Sequence, residues 1–428
     1  MELTSSNVAP ASGRAAAAVG ALPTDWTEQA IGQFCTVKTG PFGTLLKASE
    51  YSEVDGVPVI SVGEIREGYF RLTEHTPLVP ESVQRRLPQY LLKAGDVVFG
   101  RKGAVDRSAL VRQPQAGWFL GSDGIAVRPS GEHCPEYVAA QFQSFRVRQW
   151  LASNSTGTTM ASMNQGVLSR VAIPFPPTIE EERSIAEVLN DADALIDSLE
   201  QLLTKKRQIK QGAMQELLTG KRRLPGFTDA WEECRIGDFT DCTAGGTPST
   251  REDRFWGGSI PWMSSGDLHL KRVHEVDGRI TVEGLNNSST KWVPERCVLI
   301  GLAGQGKTRG TAAMNLIPLC TNQSIAAIFP CESYDTEFLY HNLDWRYEEL
   351  RELSAGDGGR GGLNLTLIRS ITVPKPSMQE QQAISQALSD MDTEVAAVEA
   401  RLTKARSLKQ AMAQSLLTGR IRLVPPTA

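Results

Sequence analysis

Residues 179–224 read IEEERSIAEVLNDADALIDSLEQLLTKKRQIKQGAMQELLTGKRRL, and the stretch returns 199 residues later, at 378–423, as MQEQQAISQALSDMDTEVAAVEARLTKARSLKQAMAQSLLTGRIRL. The two copies align without a gap, and 19 of the 46 positions are identical. A self-similar segment at a fixed offset indicates a chain built from repeated structural units. The sequence therefore predicts two related halves with a pseudo-twofold relationship.

Both copies have the pattern of a long helix. Their apolar residues recur at steps of three and four, which is typical of the narrow seam of a coiled coil. The seam residues are Ile185, Val188, Ala192, Leu195, Leu199, Leu202 and Ile209 in the first copy, and Ile384, Leu388, Met391, Val395, Val398, Leu402 and Ala405 in the second. Prolines precede each copy, and Gly220 and Gly419 stand where a C-terminal cap belongs. Each helix is predicted to be about 40 residues, or about 60 Å, long.

Charge predicts how the two helices pair. Residues 179–200 hold eight acidic residues and one Arg, whereas residues 201–224 hold seven basic residues and one Glu. Residues 378–400 hold five acids and residues 401–423 hold six bases. Antiparallel pairing places each acidic half beside a basic half, so the basic halves are expected to face acids rather than DNA. A parallel coil between two copies of the chain is the alternative.

Composition bounds the class of protein. The 428 residues suffice for two or three domains, and the net charge of −4 offers no global attraction to nucleic acid. Seven cysteines without a CxxC spacing predict reduced thiols in a cytoplasmic protein, with neither a zinc site nor a disulfide framework. No apolar run is long enough for a membrane span. Residues 1–23 are rich in Ala, Ser and Gly and predict a disordered tail rather than a signal peptide.

The repeat extends beyond the helices. Residues 93–111 match 294–314, and residues 120–129 match 319–330. Short β-branched runs separated by Gly, Pro and Asp predict an α+β fold, with a small mixed sheet in each half and one helical segment at 135–153 and at 336–353. The predicted boundaries are a globular domain at 24–173, a long helix at 174–220, a linker at 221–230, a second globular domain at 231–373 and a second long helix at 374–420.

Two divergent domains, each followed by a repeated helix with a Pro-rich entry and an LLTG-K/R-x-R-L exit, resemble the specificity subunit of type I restriction-modification systems. The resemblance implies that the globular domains are target-recognition domains for the two halves of a split, asymmetric site in double-stranded DNA. It implies that the helices are spacers that carry two methyltransferase subunits, which use S-adenosylmethionine. A restriction and translocation subunit that uses ATP is a further implied partner, and neither cofactor is expected to bind this chain.

Residues 301–308, GLAGQGKT, satisfy the G-x-x-x-x-G-K-[ST] pattern of a phosphate-binding loop. Such a loop should open a helix, whereas the residues that follow predict a strand. The equivalent first-half stretch, 99–107, keeps its glycines and positive charge without this motif. We interpret both stretches as basic hairpins that approach DNA, with Arg and Lys reaching phosphates or guanine edges. The candidates are Arg101, Lys102, Arg107, Gln305, Lys307 and Arg309.

Two polar, Gly-rich loops at 155–160 and 356–362 occupy equivalent places, and each leads to an Asn. Because Asn and Gln can pair with adenine and Arg with guanine, these loops predict further DNA contacts. The candidates there are Thr158, Met160, Asn164, Gln165, Arg360 and Asn364. Weaker candidates at matching places are Thr39, Lys47, Ser61, Thr247, Ser264 and Asn322.

The five histidines are scattered, and no catalytic constellation or cofactor-binding glycine fingerprint is evident. The sequence thus predicts a non-catalytic DNA-reading subunit whose partners perform the chemistry. Two alternatives stay open, namely an ATP-binding protein that uses Lys307 and a coiled-coil scaffold without DNA contact.

Overall fold

A computed structural model describes residues 22–43, 45–155, 162–304, 307–353 and 362–423. Almost all of the predicted disordered tail, 1–23, lies outside these ranges. The chain divides into two compact units, the first made of residues 1–198 with 402–428 and the second of residues 199–401. Both units combine sheets and helices, so the predicted α+β class is confirmed.

The first unit contains nine strands and six helices. The strands are β1 (Thr27–Ala30), β2 (Cys35–Thr39), β3 (Val57–Ile60), β4 (Leu78–Val79), β5 (Val97–Gly100), β6 (Ser108–Leu110), β7 (Phe119–Leu120), β8 (Gly124–Pro129) and β9 (Ala172–Phe175). The helices are α1 (Ile31–Phe34), α2 (Glu81–Arg86), α3 (Pro135–Gln143), α4 (Phe145–Asn154), α5 (Gln165–Ser169) and the first part of α6 (Ile179–Leu217). These counts refer to the described residues alone.

Three sheets organise the first unit. An antiparallel sheet has the strand order β2-β8-β5-β6, and a smaller sheet has the order β4-β3-β7, in which β3 and β7 are parallel. The third sheet pairs β1 with β9, just before α6 begins. All four residues of β5 are buried, because this central strand is covered on both faces.

The second unit repeats this plan with additions. Its strands are β10 (Glu232–Arg235), β11 (Cys242–Ala244), β12 (Trp256–Met263), β13 (Arg272–Val273), β14 (Arg279–Ile280), β15 (Trp292–Val293), β16 (Val298–Gly301), β17 (Ala312–Asn315), β18 (Leu319–Thr321), β19 (Ile325–Ile328) and β20 (Thr372–Lys375). Its helices are α7 (Ile236–Phe239), α8 (Val282–Asn286), α9 (Thr336–Trp345), α10 (Tyr347–Leu353), α11 (Leu365–Ser370) and α12 (Met378–Leu416), the last of which ends in the first unit.

The sheets of the second unit correspond to those of the first. The order β11-β19-β16-β17 matches β2-β8-β5-β6, with β13 added in parallel beside β17. A sheet of order β14-β12-β18-β15 and an antiparallel pair of β10 with β20 complete the unit. The mixed sheets that the sequence predicted are therefore present in both units.

The helical segment predicted once in each unit is a pair of helices in both, which corrects that expectation. In the first unit Ser144 has an extended backbone and separates α3 from α4, and its hydroxyl caps α4 by accepting a hydrogen bond from the Val147 N–H at 3.4 Å. In the second unit α9 ends and α10 begins on either side of Arg346.

The two long helices are 39 residues each, close to the predicted length. Gly220 and Gly419 follow their ends with φ values of +68° and +69°, a conformation that glycine adopts without strain. The predicted C-terminal caps are confirmed. No helix among the described residues is long and apolar enough to cross a membrane.

Each unit shows antiparallel pairing of α6 with α12. In the first unit Lys409 pairs with Asp193, and in the second Lys210 pairs with Asp392. The second unit adds Lys206 with Glu394 at 2.6 Å. In the second unit the pairs are thus 206 with 394 and 210 with 392, and in the first unit they are 193 with 409 and 181 with 422, so the two chain segments run in opposite directions within each unit. The charge argument therefore predicted the orientation correctly.

A buried ion pair joins the end of one long helix to the start of the other in each unit. Arg422 donates hydrogen bonds to both carboxylate oxygens of Glu181, which is 0% exposed, and one to Asp25 at 2.9 Å. This hydrogen bonding raises the pKa of Arg422 above its usual range.

The second unit has the same ion pair at the equivalent repeat positions, because Glu380 lies 199 residues after Glu181 and Arg223 lies 199 residues before Arg422. Arg223 donates to the two oxygens of Glu380 at 2.6 and 2.7 Å, and the Trp231 indole N–H donates to Glu380 at 2.9 Å. Arg223 and Arg422, the last arginines of the two LLTG-K/R-x-R-L exits, therefore form ion pairs within their own units.

Candidate nucleic-acid interface

In the first unit, loops that are distant in sequence meet at one end of the β2-β8-β5-β6 sheet. The hairpin between β5 and β6 contacts the segment that precedes α5, since Lys102 and Ser162 form an isolated bridge. The Met163 N–H donates to the Arg101 carbonyl oxygen at 2.8 Å. The predicted basic hairpin and the predicted Asn/Gln segment are thus neighbours.

The loop after β2 joins the same place. Gln165 donates from its side-chain amide to the Thr39 hydroxyl at 3.1 Å. The Gly40 N–H donates to the Gly124 carbonyl oxygen at 3.0 Å, and a Cβ at Gly40 would overlap the Gly121 carbonyl oxygen. Only glycine allows this approach of two backbones. We call residues 39–43, 100–107, 121–124 and 162–165 together loop cluster A.

Loop cluster A carries more positive than negative charge at its surface. Arg107 is exposed, and Lys102 lies 3.6 Å from Asp123 with half of its side chain exposed. The other acid of the cluster, Asp106, is neutralised by Arg148 of α4 at 3.0 Å. The cluster therefore presents cations beside exposed backbone, which suits a phosphodiester.

The second unit assembles the equivalent loops. The Leu363 N–H donates to the Leu302 carbonyl oxygen at 3.0 Å, and the Gly246 N–H donates to the Thr321 carbonyl oxygen at 2.8 Å. A Cβ at Gly245 would overlap that same Thr321 oxygen, just as a Cβ at Gly40 would overlap the Gly121 oxygen in the first unit. We call residues 244–249, 301–304, 307–311, 321–324 and 362–364 loop cluster B.

The side chains of loop cluster B differ from those of loop cluster A. The Thr247 hydroxyl donates to the Gln323 amide oxygen at 2.6 Å. Lys307 is exposed, and its carbonyl oxygen accepts from the Tyr347 hydroxyl at 3.2 Å, while Arg309 is half-buried. The described part of this cluster contains no acidic residue.

The described residues of the phosphate-binding pattern, 301–304, 307 and 308, lie at the end of β16 and in the loop before β17. Strands β16 and β17 are antiparallel neighbours, with Leu299 opposite Ala313, and the Gly310 N–H donates to the Gly301 carbonyl oxygen at 2.9 Å. The loop therefore leads into a strand rather than into the helix N-terminus that holds phosphate in nucleotide-binding loops. This geometry gives the ATP-binding alternative no support.

Asn164 and Asn364, both predicted to contact DNA, cap short helices. Their side-chain oxygens accept hydrogen bonds at 2.9 Å from the backbone N–H of Val167 and of Leu367. An Asn immediately before a short apolar run is a signal for such a cap, which the sequence analysis missed. Both side chains are exposed, so a DNA contact through the amide nitrogen stays a prediction.

Four predicted contact residues lie outside the described part of the chain, namely Thr158, Met160, Gln305 and Arg360. Two of the weaker candidates have local structural partners. The Ser264 hydroxyl donates to the Asp267 carboxylate at 2.8 Å, and the Asn322 amide oxygen accepts from the Ser324 N–H at 3.1 Å. Lys47 is exposed and Ser61 is half-buried.

Sequence reasoning did not select Phe42, a prominent side chain of loop cluster A. It is 54% exposed, and the Arg101 guanidinium lies over its ring at 5.0 Å from the centroid. A large aromatic between Gly-Pro and Gly in a loop beside basic residues was the available signal. Within the described residues, no group of His, Cys, Asp and Glu could hold a metal ion.

The fold and the paired clusters define a two-unit protein with one loop-built surface in each unit. The sequence profile of the type I restriction modification DNA specificity domain matches the chain twice, over residues 23–211 and 228–405. The chain belongs to this family.

Relatives and solved structures agree with this assignment. The putative type I restriction enzyme MjaX specificity subunit of Methanocaldococcus jannaschii is 22% identical over 95% of this chain and 96% of its own length. The MjaVIII specificity subunit of the same organism is 22% identical over 94% of each chain. The crystal structure of the type I restriction-modification S subunit from M. genitalium shares the fold, with a TM-score of 0.62 at 16% identity over 91% of this chain and 96% of that one.

Proposed function

We propose that this chain is the DNA sequence-specificity subunit of a type I restriction-modification complex. Loop cluster A reads one half of a split site, and loop cluster B reads the other. The observation that carries this proposal is that both units bring the same four loops to the same end of the corresponding sheet, yet present different side chains there. Equivalent frames with different surfaces suit two half-sites of different sequence.

The chemistry of the clusters suits double-stranded DNA. Glycines allow close approach of the backbone, and Arg or Lys can bond phosphates or guanine edges in the major groove. The hairpin cations Arg101, Lys102, Arg107, Lys307 and Arg309 are the proposed contacts of this kind. Gln165 lies beside Thr39 in loop cluster A and offers an amide for adenine.

The long helices serve as the spacer in this proposal. Helix α6 is 39 residues long, or about 58 Å at about 1.5 Å per residue. Half-sites on one face of the duplex lie about 34 Å apart for each helical turn between them. A helix of this length can therefore span one turn at a slant.

The same helices are the proposed docking surface for two methyltransferase subunits. Leu195, Leu202 and Ile209 follow one another at steps of seven on α6, and they are 49%, 38% and 52% exposed. The sequence predicted these three residues in the seam with the other long helix, and their exposure corrects that expectation. A heptad row of exposed apolar residues is typical of a seam that receives another helix. On α12 the residue equivalent to Ile209, Leu408, is 55% exposed.

Catalysis belongs to the partners in this proposal. The methyltransferase subunits supply S-adenosylmethionine chemistry, a restriction and translocation subunit is a further partner that uses ATP, and the complex acts in the cytoplasm. This chain then contributes sequence choice and geometry alone.

Methylation-aware sequencing tests the proposal. The chain is co-expressed with its methyltransferase partner, and modified positions in the host DNA are mapped. We expect a split motif with a fixed gap. Replacing the cations of loop cluster A together (Arg101→Ala, Lys102→Ala, Arg107→Ala) should relax or abolish recognition of one half-motif. Replacing those of loop cluster B (Lys307→Ala, Arg309→Ala) should affect the other half.

Matched controls come from exposed arginines outside the clusters. Arg85→Ala in the first unit and Arg254→Ala in the second remove exposed cations that lie outside the clusters, and both should leave the motif unchanged. A stable complex whose wild type leaves DNA unmodified, or a motif that neither cluster variant alters, would contradict the proposal and favour a scaffold.

A further inference from the structure

Phe42 occupies an exposed position that its surroundings do not explain as packing. The side chain is 54% exposed, and Phe99 and Phe119 of the same unit are 0% exposed by contrast. Its neighbour in space is the guanidinium of Arg101, which lies over the ring at 5.0 Å from the centroid. A single exposed aromatic needs no occupant in itself; what points to a ligand is the position of Phe42 in a loop cluster rich in cations, with a guanidinium over its ring.

The backbone of Arg101 is held by two neighbouring loops. Its backbone N–H donates to the Asp123 carbonyl oxygen at 2.8 Å, and its own carbonyl oxygen accepts from the Met163 N–H at 2.8 Å. Two loops therefore hold the arginine backbone from either side. From this held backbone the guanidinium makes a cation–π contact with the Phe42 ring, and we call the two side chains the Phe42–Arg101 platform.

The second unit lacks this platform. Phe42 stands two residues after Gly40, and two residues after the corresponding Gly245 stands Thr247, whose hydroxyl donates to Gln323. The residue that corresponds to Arg101 by its backbone bonds is Leu302, which is 7% exposed. At these two corresponding described positions the second unit therefore has neither the aromatic nor the cation, whereas the backbone bonds around them are common to both units.

We propose that Phe42 stacks on a base of the half-site read by loop cluster A, with Arg101 supporting the ring and offering its charge to the adjacent phosphate. This inference rests on the proposed function. The charge of the cluster favours this occupant over an apolar protein surface, because Lys102 and Arg107 are exposed in the same loop cluster and would be desolvated by such a partner. Base–aromatic stacking accepts any base with an exposed face, so the contact requires local unstacking of the duplex.

The test uses the complete chain in complex with its methyltransferase partner. Duplexes contain the mapped motif with 2-aminopurine at single positions through each half-site, because this base brightens when it leaves the stack and is quenched again against an aromatic ring. Dissociation constants are measured on the same duplexes. The variants are Phe42→Ala and Phe42→Trp, with Phe145→Ala as the matched control, since Phe145 is 71% exposed in the same unit but lies at the start of α4.

The methyltransferase partners can themselves extrude a base, so the informative signal is the part that depends on Phe42, and we expect that part at one or two adjacent positions of the first half-site only. Phe42→Ala should change that signal and weaken specific binding by about 5- to 150-fold, the range for loss of one stacked base. Phe42→Trp should retain most of the affinity, and Phe145→Ala should match the wild type. Melting temperatures within about 2 °C of the wild type would show that the exposed substitutions leave the fold intact.

Two results would overturn the inference. One is wild-type affinity and an unaltered 2-aminopurine profile in Phe42→Ala. The other is failure of Phe42→Ala to assemble with the methyltransferase, which would assign Phe42 to a protein interface. Failure of the proposed function is distinguishable, because the wild-type complex itself would then show no sequence-specific binding.

Discussion

The two units have the same backbone frame and different recognition surfaces. Gly40 and Gly245 each press against a carbonyl oxygen of the opposite loop, where a Cβ would overlap. Two residues further on, the first unit exposes Phe42 and the second has Thr247 bonded to Gln323. Positions that fix backbone approach are alike, whereas positions that face outward differ. A recognition surface can therefore change while the loops that carry it stay in place.

The frame extends to the ends of the long helices. Glu181 with Arg422 in the first unit corresponds to Glu380 with Arg223 in the second. Both carboxylates are buried, and each accepts two hydrogen bonds from its arginine. An ion pair in this position is costly to break, because removal of one partner takes away the two hydrogen bonds that compensate the burial of the other, and Arg422 would keep only its bond to Asp25.

Substitutions in these ion pairs are therefore expected to have the largest effect on the free energy of unfolding. Glu181→Ala should lower the free energy of unfolding by about 3 kcal/mol, since Arg422 loses both bonds to the buried carboxylate. Glu380→Ala should destabilise the second unit in the same way. Calorimetric unfolding measures both. Glu180→Ala removes an exposed neighbouring carboxylate and should stay within about 0.5 kcal/mol of the wild type. Equal losses for Glu180→Ala and Glu181→Ala would show that burial of the pair has no part in stability.

A second prediction concerns a buried residue that only the second unit has. His341, the sixth residue of α9, is 0% exposed, whereas the sixth residue of α3 is Ala140. The His341 ring lies 3.3 Å from the Ser389 hydroxyl, and burial, with Arg272 and Lys210 nearby, lowers its pKa to about 3. The imidazole of His341 therefore binds a proton more readily in the unfolded chain, where its pKa is about 6.5.

Acid should accordingly destabilise the second unit more than the first. Between pH 8 and pH 5 the unfolded state gains a proton that the folded state does not bind, so stability falls as the pH drops below about 6.5. The loss should reach about 2 kcal/mol at pH 5. Urea unfolding across this range tests it, with His341→Ala as the variant that copies the first unit. The variant should be less stable at pH 8 but should lose the part of the pH dependence that comes from His341; an unchanged pH slope would contradict the assignment.

The sequence predicted the frame well, and physical reasons explain why. The helices repeat without a gap, and their segregated charges leave antiparallel pairing as the orientation that joins Lys210 to Asp392 and Lys409 to Asp193. The surface was harder to predict. The sequence predicted that Asn164 bonds adenine. Its side-chain oxygen instead caps a short helix, whose formation depends on tertiary packing. The importance of Phe42 depends on Arg101, which is distant in sequence and meets it only in the folded unit.

The third prediction asks whether the shared frame serves recognition in both units. Gly40→Ala should force the Gly121 loop to move and weaken binding by about tenfold, with loss of selectivity in one half-site only. Gly245→Ala should do the same to the other half-site. Gly63→Ala is the control, because a Cβ there meets no atom within 4 Å. Competition binding with duplexes scrambled in one half at a time measures the selectivity, and loss of both half-sites in either variant would contradict separate reading.

The smallest effects are expected from single hairpin cations. Lys307→Ala should weaken binding by about threefold to tenfold on every sequence and reduce the slope of log K against log salt by about one, as expected for loss of one phosphate contact. Lys102→Ala should have a smaller effect, about twofold, because Asp123 already lies 3.6 Å from that ammonium group. Arg85→Ala is the control for a change in net charge alone. A change in the bases preferred by the Lys307→Ala variant would assign this side chain to a base edge. If the isolated wild-type chain bound labelled ATP and the Lys307→Ala variant did not, the loop would be assigned to nucleotide binding instead.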